Sequence, residues 1–376
     1  MLNQSPGHKV FGIKLSAAKR YLSRGLPEPA LTILINLLNM YPDNLLVSDI
    51  IKEIPPSQKT NSIILPEIFK LHGISETDIE NILAKKPLYI SKLIPKSSGE
   101  KRRLDIPNPD LKFLQKLILQ LLLSRIKLSP FATAFRQGFS VHVNAVIHLY
   151  PQQIITVDLE DFFPSITFQR VRGFFRGIGV DKELSKLLSK ITTYRNRLPQ
   201  GAPTSPLIAN AIAFNLDNRI GNLAKAEKLA YTRYADDIVL SSSNRKISHL
   251  LPLMREIIEE EGFFVSEQKV RIVSRTRQQK VTGVVINETL SLPRNLRRNL
   301  RAKIHSFRNK VSGGKTARNT AVSQLKKLRG EAAWIYMINR QQGEKLLKQI
   351  EECENILPEF CAEIVSLPRM LPQNFG

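Results

Sequence analysis

The first part of the chain carries apolar residues at helical spacing. Two apolar-faced helices are predicted between residues 14 and 53, with a turn at Gly25-Leu26-Pro27 and with the second helix ending before Pro42. The second helix carries a broad apolar stripe, made of Leu31, Ile33, Leu34, Leu37 and Leu38. One helical hairpin is not a repeat array. It suits a cap on the next domain and a docking module equally well, and the sequence leaves both open.

The middle of the chain changes to strand-like patterns. Residues 89–95 and 102–106 read as the two arms of a β-hairpin, and Ser97-Ser98-Gly99 reads as its turn. Residues 111–126 have the spacing of a half-buried helix. From residue 152 to residue 286 strands and helices alternate. The predicted fold class is therefore α+β.

Beyond Pro293 the pattern is helical and strongly basic. Residues 294–318 hold nine Lys or Arg residues and no acid. One apolar stripe runs along this predicted helix, through Leu296, Leu300, Ile304, Phe307 and Val311. Further on, Trp334 and Tyr336 are expected to pack within the core of this helical region.

Charge and composition restrict the class of function. The 376 residues carry a net charge of +23, which creates a field suited to a polyanion. Charge alone leaves open a basic ribosomal-type or membrane-surface protein. No run reaches the roughly 18 uninterrupted apolar residues of a membrane span, and the N-terminus lacks the layout of a secretion signal. A cytoplasmic location without membrane attachment is expected. Cys353 and Cys361 fit neither a zinc site nor a disulfide framework.

Three aspartates form the candidate catalytic constellation. Residues 154–157 read as a buried strand that ends in Asp158, and Asp236 and Asp237 lie at a tight turn between two apolar strands. Neighbouring carboxylates repel each other, and keeping them ionised beside a core requires a cation. Hard oxygen ligands favour Mg²⁺. Bringing Asp158 beside the turn would create a site for two metal ions about 4 Å apart.

These segments resemble the motifs of reverse transcriptases. Tyr234-Ala235-Asp236-Asp237 resembles their catalytic hairpin, residues 157–163 (VDLEDFF) resemble their first metal-binding strand, and residues 198–206 (LPQGAPTSP) resemble the loop before a palm helix. The sequence predicts that Ser205 caps this helix, that Pro206 lies in its first turn, and that it runs from Leu207 to about Ile220. The resemblance implies a right-hand polymerase with fingers, palm and thumb. The implied boundaries are an N-terminal helical extension at 1–60, fingers at 61–150, palm at 151–290, and a basic helical thumb with a tail at 291–376.

The resemblance also implies roles for individual residues. Two Mg²⁺ ions, with Mn²⁺ as a possible substitute, would be bound by Asp158, Leu159, Asp236 and Asp237. The incoming deoxynucleoside triphosphate would be contacted by Lys96, Arg102, Asp161, Phe163 and Gln200, although adjacent basic residues leave the register of Arg102 uncertain by one. Phe163 matches the aromatic residue that excludes a 2′-hydroxyl. Lys269 matches a lysine that protonates the leaving pyrophosphate.

Two further motifs resemble signatures of retron reverse transcriptases. They are Asn144-Ala145-Val146-Ile147-His148 and Val281-Thr282-Gly283. The resemblance implies a cognate structured noncoding RNA, priming from a 2′-hydroxyl, a branched RNA–DNA product, and anti-phage defence with a separate effector protein. The expected RNA contacts are Asn144, His148, Val281, Thr282, Gly283, Arg297, Arg298 and Arg301.

Two other interpretations stay open at this point. A group II intron-like or diversity-generating reverse transcriptase would share the carboxylates, but it gives no reason for both signature motifs. A polymerase-like protein that only binds RNA would have no use for an intact acidic cluster.

Overall fold

The elements of the fold follow the predicted alternation. The computed structural model describes residues 6–54, 69, 72–95, 99, 101–123, 125–312 and 318–355. Within them the helices are α1 (Pro6–Ser23), α2 (Pro27–Met40), α3 (Leu45–Glu53), α4 (Glu76–Ala84), α5 (Pro109–Leu123), α6 (Val141–Ile147), α7 (Phe168–Gly177), α8 (Lys182–Thr192), α9 (Ser205–Ile212), α10 (Phe214–Ala226), α11 (Leu251–Glu260), α12 (Arg294–Ser312), α13 (Arg318–Ile338) and α14 (Arg340–Asn355). The strands are β1 (Tyr89–Pro95), β2 (Lys101–Pro107), β3 (Gln153–Asp158), β4 (Ala230–Tyr234), β5 (Asp237–Ser242), β6 (Arg271–Ser274), β7 (Lys280–Val281) and β8 (Val284–Val285). Helices combined with antiparallel strands confirm the α+β class.

A four-stranded antiparallel sheet, which we call the palm sheet, has the strand order β4-β5-β3-β6. Successive side chains of a strand point to opposite faces, so the sheet separates two hydrophobic cores. Ile155 and Val157 of β3 belong to one core, together with helices α5 and α7 to α11. Ile154 belongs to the other core, together with α1, α2, α6, the β7–β8 hairpin and the C-terminal helices. The central strand β3 is therefore held from both sides.

The N-terminal helical hairpin packs on the palm sheet. Helices α1 and α2 are separated at the predicted turn, and α2 ends at Met40, before Pro42. Ile33, Leu34 and Leu37 lie in the same core as Val239 of β5. The Asn36 side-chain oxygen accepts a hydrogen bond of 2.7 Å from the backbone N–H of Tyr231 in β4. Of the two interpretations of this hairpin, the structure favours the cap on the next domain.

The β1–β2 hairpin projects from the rest of the molecule and has the predicted strands. Its register runs from the pair Tyr89–Pro107 to the pair Pro95–Lys101. Only its base is buried, where Tyr89 stacks on Tyr194 with ring centroids 4.4 Å apart. The hairpin also contacts the loop before α9, since the Asp105 N–H donates to the Gln200 carbonyl at 2.8 Å.

The helix after this loop differs from its prediction in two ways. It divides into α9 and α10, with Ala213 between them, where one helix through Leu207 and Ile220 was expected. The capping position is Thr204, not Ser205, and Ser205 is the first helical residue. The Ser205 hydroxyl is buried and accepts no bond from the first turn, so the predicted cap is wrong. Pro206 lies in the first turn, as predicted.

The basic C-terminal region forms α12, α13 and α14, which pack together. Leu300, Ile304 and Phe307 of α12 are buried, which confirms the core of the predicted stripe, whereas Leu296 is 40% exposed. Trp334 is 39% exposed, so its expected packing in the core is wrong. No helix within the described ranges is both long enough and apolar enough to cross a bilayer.

Candidate active site

The palm sheet brings the three predicted aspartates together. In the β3–β5 register Asp158 is the direct partner of Asp237. Beyond the end of β3, the Leu159 N–H donates to the Asp236 carbonyl at 2.9 Å. Between β4 and β5 the chain turns at Ala235 and Asp236, and Ala235 has a left-handed φ of +58°. The carboxylates therefore converge because two adjacent strands deliver them to the same edge of the sheet.

The carboxylates of this site disfavour one another's ionisation. Desolvation in the cleft, followed by the charges of Asp236 and Asp158, raises the pKa of Asp237 to about 7, although the residue keeps an exposed edge. The pKa of Asp236 is also raised, first by desolvation. Nearby positive charges counteract this, because Lys269 and Arg102 both lower the pKa of Asp236. Such a site has a deficit of positive charge.

The side chain of Lys269 brings one positive charge into direct contact with the carboxylates. Its ammonium lies 2.6 Å from the Asp158 carboxylate, and this hydrogen bond raises the pKa of Lys269. Within the described ranges no three His, Cys, Asp or Glu side chains form a ready-made metal cluster. The convergent aspartate oxygens nevertheless have the hard-ligand chemistry and the charge deficit that a divalent cation would satisfy. Leu159 has no ligand atom in its side chain, so only its backbone carbonyl could take part.

A cleft of about 580 Å³ opens beside the carboxylates. Its walls combine the catalytic candidates with basic and polar residues of the palm sheet and the β7–β8 hairpin. They include Asp158, Asp237, Lys269, Arg271, Arg277, Gln278, Lys280 and Thr282. A basic cleft next to a carboxylate cluster suits the phosphate backbone of a nucleic acid strand.

The β1–β2 hairpin, which we call the fingers hairpin, gives its two neighbouring arginines different surroundings. Arg103 is occupied within the hairpin, where it donates to Asp105 at 2.9 Å and to Ser91 at 2.8 Å. Arg102 is the one whose charge reaches Asp236. This difference supports the register that assigns Arg102 to the triphosphate. Lys96, the other predicted phosphate contact, lies outside the described residues.

Gly201 is required by the packing of its loop against strand β2. Its φ is +128°, and a Cβ atom there would lie 2.6 Å from the Asp105 carbonyl oxygen. The close approach is to strand β2 of the fingers hairpin. Gln200 takes part through its backbone carbonyl, which accepts from Asp105.

A cluster of aromatic side chains follows the strand that ends in Asp158. Phe162 is buried, and Phe163 is half-buried with its ring centroid 5.3 Å from that of Phe162. On its other side Phe163 lies 6.1 Å from the half-exposed ring of Phe135, a residue that the sequence did not indicate. Phe163 is therefore partly open to solvent, whereas Phe162 is core. Asp161 is exposed and has a left-handed φ of +44°.

The two short signature motifs meet inside the protein. Asn144 and His148 are both 0% exposed. The Thr232 hydroxyl donates to the Asn144 side-chain oxygen at 2.5 Å, so His148 Nε2, 2.7 Å from the same hydroxyl, must donate to it. Asn144 also donates to Thr282 at 3.4 Å, across 138 residues of sequence.

This burial corrects the expected RNA contacts of Asn144, His148 and Val281. All three side chains are in the core, and burial lowers the pKa of His148 well below its usual value, so the ring is neutral. They hold β4 and the β7–β8 hairpin in place. Thr282 and Gly283 form the two-residue turn of that hairpin, and both have positive φ, as a type I′ turn requires.

The three arginines predicted to contact RNA lie on α12 but differ in surroundings. Arg298 and Arg301 are exposed. Arg297 is half-buried and donates to Gln342 of α14 at 3.2 Å. Two of the three therefore present charge to solvent, and Arg297 ties two helices together.

Sequence reasoning missed a buried ion pair next to the catalytic turn. Arg233 in β4 and Asp217 in α10 are both fully buried and are joined at 2.8 Å. A signal was available: an arginine inside an otherwise apolar strand must find a partner when the strand is buried. The sequence does not identify which acid provides it.

Comparisons with known proteins agree on one family. The family described as "Reverse transcriptase (RNA-dependent DNA polymerase)" matches residues 94–286. Retron Ec86 reverse transcriptase of Escherichia coli is 37% identical over 301 residues, which cover 77% of this chain and 91% of that protein. Retron Mx162 reverse transcriptase of Myxococcus xanthus is 36% identical, and the match covers 71% of this chain and 61% of that longer protein.

The solved structures that resemble this chain are more distant. Telomerase from Candida tropicalis, in complex with a fragment of telomeric RNA, has a TM-score of 0.41 and 11% identity, covering 76% of this chain and 62% of that one. Such a distant likeness supports no statement about function. The family match over half of the chain, together with the Escherichia coli relative matched along 91% of its length, shows that the chain belongs to the retron reverse transcriptases.

Proposed function

We propose that this chain is an RNA-directed DNA polymerase with its reaction centre at Asp158, Asp236 and Asp237. The supporting observation is the pairing of Asp158 with Asp237 at the end of the palm sheet, with Asp236 in the adjoining turn. In the reaction a hydroxyl oxygen of the primer attacks the α-phosphorus of a deoxynucleoside triphosphate, the hydroxyl proton is lost, and pyrophosphate leaves.

The aspartate oxygens and the Leu159 carbonyl are the groups that would hold two Mg²⁺ ions, or Mn²⁺ in their place. When bound, the ions favour ionisation of the attacking hydroxyl and stabilise the charge on the leaving oxygens. Desolvation, and after it the charges of Asp236 and Asp158, raise the pKa of Asp237, and a bound cation would offset both, which supports this assignment.

The remaining site residues would bind the nucleotide, select its sugar and supply a proton. Arg102 would bind the triphosphate, with Lys96, Asp161 and Gln200 as further contacts. Phe163 would lie under the sugar and exclude a 2′-hydroxyl. Lys269 carries its proton close to Asp158 and would donate it to the leaving pyrophosphate.

We propose that the template is the chain's own structured noncoding RNA, and that synthesis begins at the 2′-hydroxyl of a guanosine in it. Membership of the retron reverse transcriptases supports this, as do the net charge of +23 and the exposed Arg298 and Arg301. Thr282 and Gly283, at the tip of the β7–β8 hairpin, stay as proposed RNA contacts.

We also propose a role in anti-phage defence with a separate effector protein, on the basis of the family resemblance. Expressing the chain with its adjoining genes and challenging the cells with phages tests it. Protection that is lost in D237N supports the role, and equal plaque counts in both strains contradict it.

The nucleic acid that copurifies with the chain tests the choice of template and primer. A DNA strand joined to RNA by a 2′–5′ bond, released by a debranching enzyme, is the expected product. DNA carrying an ordinary 3′–5′ junction to RNA would contradict the priming proposal and leave the polymerase proposal intact.

A further inference from the structure

We propose that the buried ion pair of Arg233 and Asp217 positions the catalytic turn by holding the backbone of Ala235 in its left-handed conformation. This inference rests on the proposed function, because it assumes that Asp236 and Asp237 act in catalysis. Arg233 and Asp217 are positioning residues, since neither is exposed to the cleft.

The guanidinium of Arg233 has a fixed set of partners. Its Nε and one Nη donate to the two oxygens of Asp217, both at 2.8 Å. The other Nη donates to the Asn210 side chain at 3.1 Å and to the Ala235 carbonyl at 3.0 Å. A planar guanidinium with two bonds to one carboxylate has no freedom to rotate. The direction of its bond to Ala235 is therefore set by Asp217.

Ala235 is the point at which this fixed direction matters. An L-residue with a Cβ atom rarely adopts its φ of +58°. The conformation orients the next two residues, Asp236 and Asp237. The bond from Arg233 to the Ala235 carbonyl stabilises this conformation from the buried side of the turn, away from the cleft.

The position of the pair is itself held from several elements. The Tyr231 hydroxyl donates at 2.8 Å to the Asp217 oxygen that also accepts from Nε of Arg233. The Asn210 side chain donates to the Ala134 carbonyl at 2.9 Å. The Arg233 backbone bonds to the segment before α6, through its N–H to Phe131 and its carbonyl to Thr133. Strand β4 is thereby fixed relative to α9, α10 and this segment.

A role in general stability explains the pair less well. Exchanging a buried ion pair for apolar residues often leaves stability unchanged or raises it. Such apolar residues could fill the core around β4, but they could not donate a hydrogen bond to the Ala235 carbonyl in the catalytic turn.

The test compares R233K with a core variant of similar instability. R233K keeps the charge but loses the two-pronged geometry, and Leu188→Ala removes a fully buried side chain of α8, which is outside the catalytic turn. Incorporation of one nucleotide is measured at saturating substrate, together with KM for the nucleotide. We expect R233K to lower kcat by about 10²-fold with KM nearly unchanged. Leu188→Ala should lower thermal stability by a similar amount and leave kcat close to native.

Two further measurements separate positioning from folding. Ala235→Gly removes the Cβ penalty of the left-handed turn, so in the R233K background it should recover part of the lost kcat. Mn²⁺ binding, followed by paramagnetic resonance of the free ion, should weaken about 10-fold or more in R233K. This second readout needs no turnover, so it tests the pair even if the native chain does not polymerise.

Equal losses of kcat in R233K and Leu188→Ala, no rescue by Ala235→Gly, or unchanged Mn²⁺ affinity would each overturn the proposal. If R233K does not fold, D217N, which keeps an oxygen for Tyr231, is compared in the same way. If neither variant folds, the pair is needed for the fold itself and the positioning role is rejected.

Discussion

Two β-hairpins carry charged residues of the candidate site, and they are held in very different ways. The fingers hairpin β1–β2 is exposed along most of its length, with Leu93 64% exposed, and it contacts the rest of the chain at its base and at Gln200. The catalytic hairpin β4–β5 is buried on both faces. One face of β4 bonds to Asn144 and His148 through Thr232, and the other bonds to Asp217 through Arg233.

The difference matches two chemical tasks. Carboxylates that bind metal ions must keep a geometry to a fraction of an ångström, which requires support from buried neighbours. A cation that meets a triphosphate arriving from solvent gains from an exposed and adaptable position. Substitutions in the catalytic hairpin should therefore affect the rate, and substitutions in the fingers hairpin should affect nucleotide affinity.

The largest effect is expected at the tip of the catalytic hairpin. D237N removes one ligand charge and should lower single-nucleotide incorporation by about 10³-fold or more. The affinity for RNA should not fall, because the substitution removes a negative charge and leaves every Lys and Arg in place. The matched control is Glu160→Gln, an exposed acid close to the same site. Comparable activity of D237N and Glu160→Gln would remove Asp237 from the reaction centre.

Substrate selection should change next. Phe163→Ala opens space beside the sugar, and the preference for deoxynucleotides over ribonucleotides should fall by about 10- to 100-fold. Phe264→Ala, at an exposed phenylalanine on a neighbouring loop, is the control. A preference that is unchanged in Phe163→Ala would refute the gate assignment.

The connection between the two regions is tested at Gly201. Gly201→Ala forces a Cβ atom against the Asp105 carbonyl and should displace the fingers hairpin, reducing kcat/KM by about 10-fold. Gly179→Ala is a matched control, because Gly179 also has a positive φ but a Cβ atom added there would meet no other atom within 4 Å. Equal effects of the two substitutions would show that backbone strain alone is responsible.

Within the fingers hairpin, neighbouring arginines should differ. Arg102→Ala should raise KM for the nucleotide by about 10-fold, since a charged contact to phosphate is lost. Arg103→Ala should change KM far less, because Arg103 is already bonded to Asp105 and Ser91. The reverse order would shift the predicted register by one residue.

The smallest effect on activity is expected at Lys14, which is only 2% exposed and whose ammonium donates to the Met40 sulfur at 3.6 Å. Desolvation lowers the pKa of Lys14 from 10.5 to about 7. Between these values the unfolded chain binds more protons, so stability should rise with pH. Lys14→Met should raise the free energy of unfolding at pH 7 by on the order of a few kcal/mol, and less at pH 10. Urea unfolding at both pH values checks this, and an equal gain at both would contradict it.

Local patterns predicted much of this fold. The two hairpins, the strand that ends in Asp158 and the turn with Asp236 and Asp237 follow from alternation and turn chemistry, which operate over a few residues. The sequence could not indicate that Asn144 lies against Thr282, or that Arg233 pairs with Asp217, because those contacts depend on how distant elements pack. For the same reason, His148 was expected at a surface and lies in the core.

The central claim is that the edge of the palm sheet with Asp158, Asp236 and Asp237 performs RNA-templated DNA synthesis. Its most direct test is single-turnover addition of a deoxynucleotide to a primer annealed to RNA, with Mg²⁺, by the native chain, D158N and Arg103→Ala. We predict extension by the native chain and by Arg103→Ala, and none by D158N. Extension by D158N at the native rate would contradict the claim.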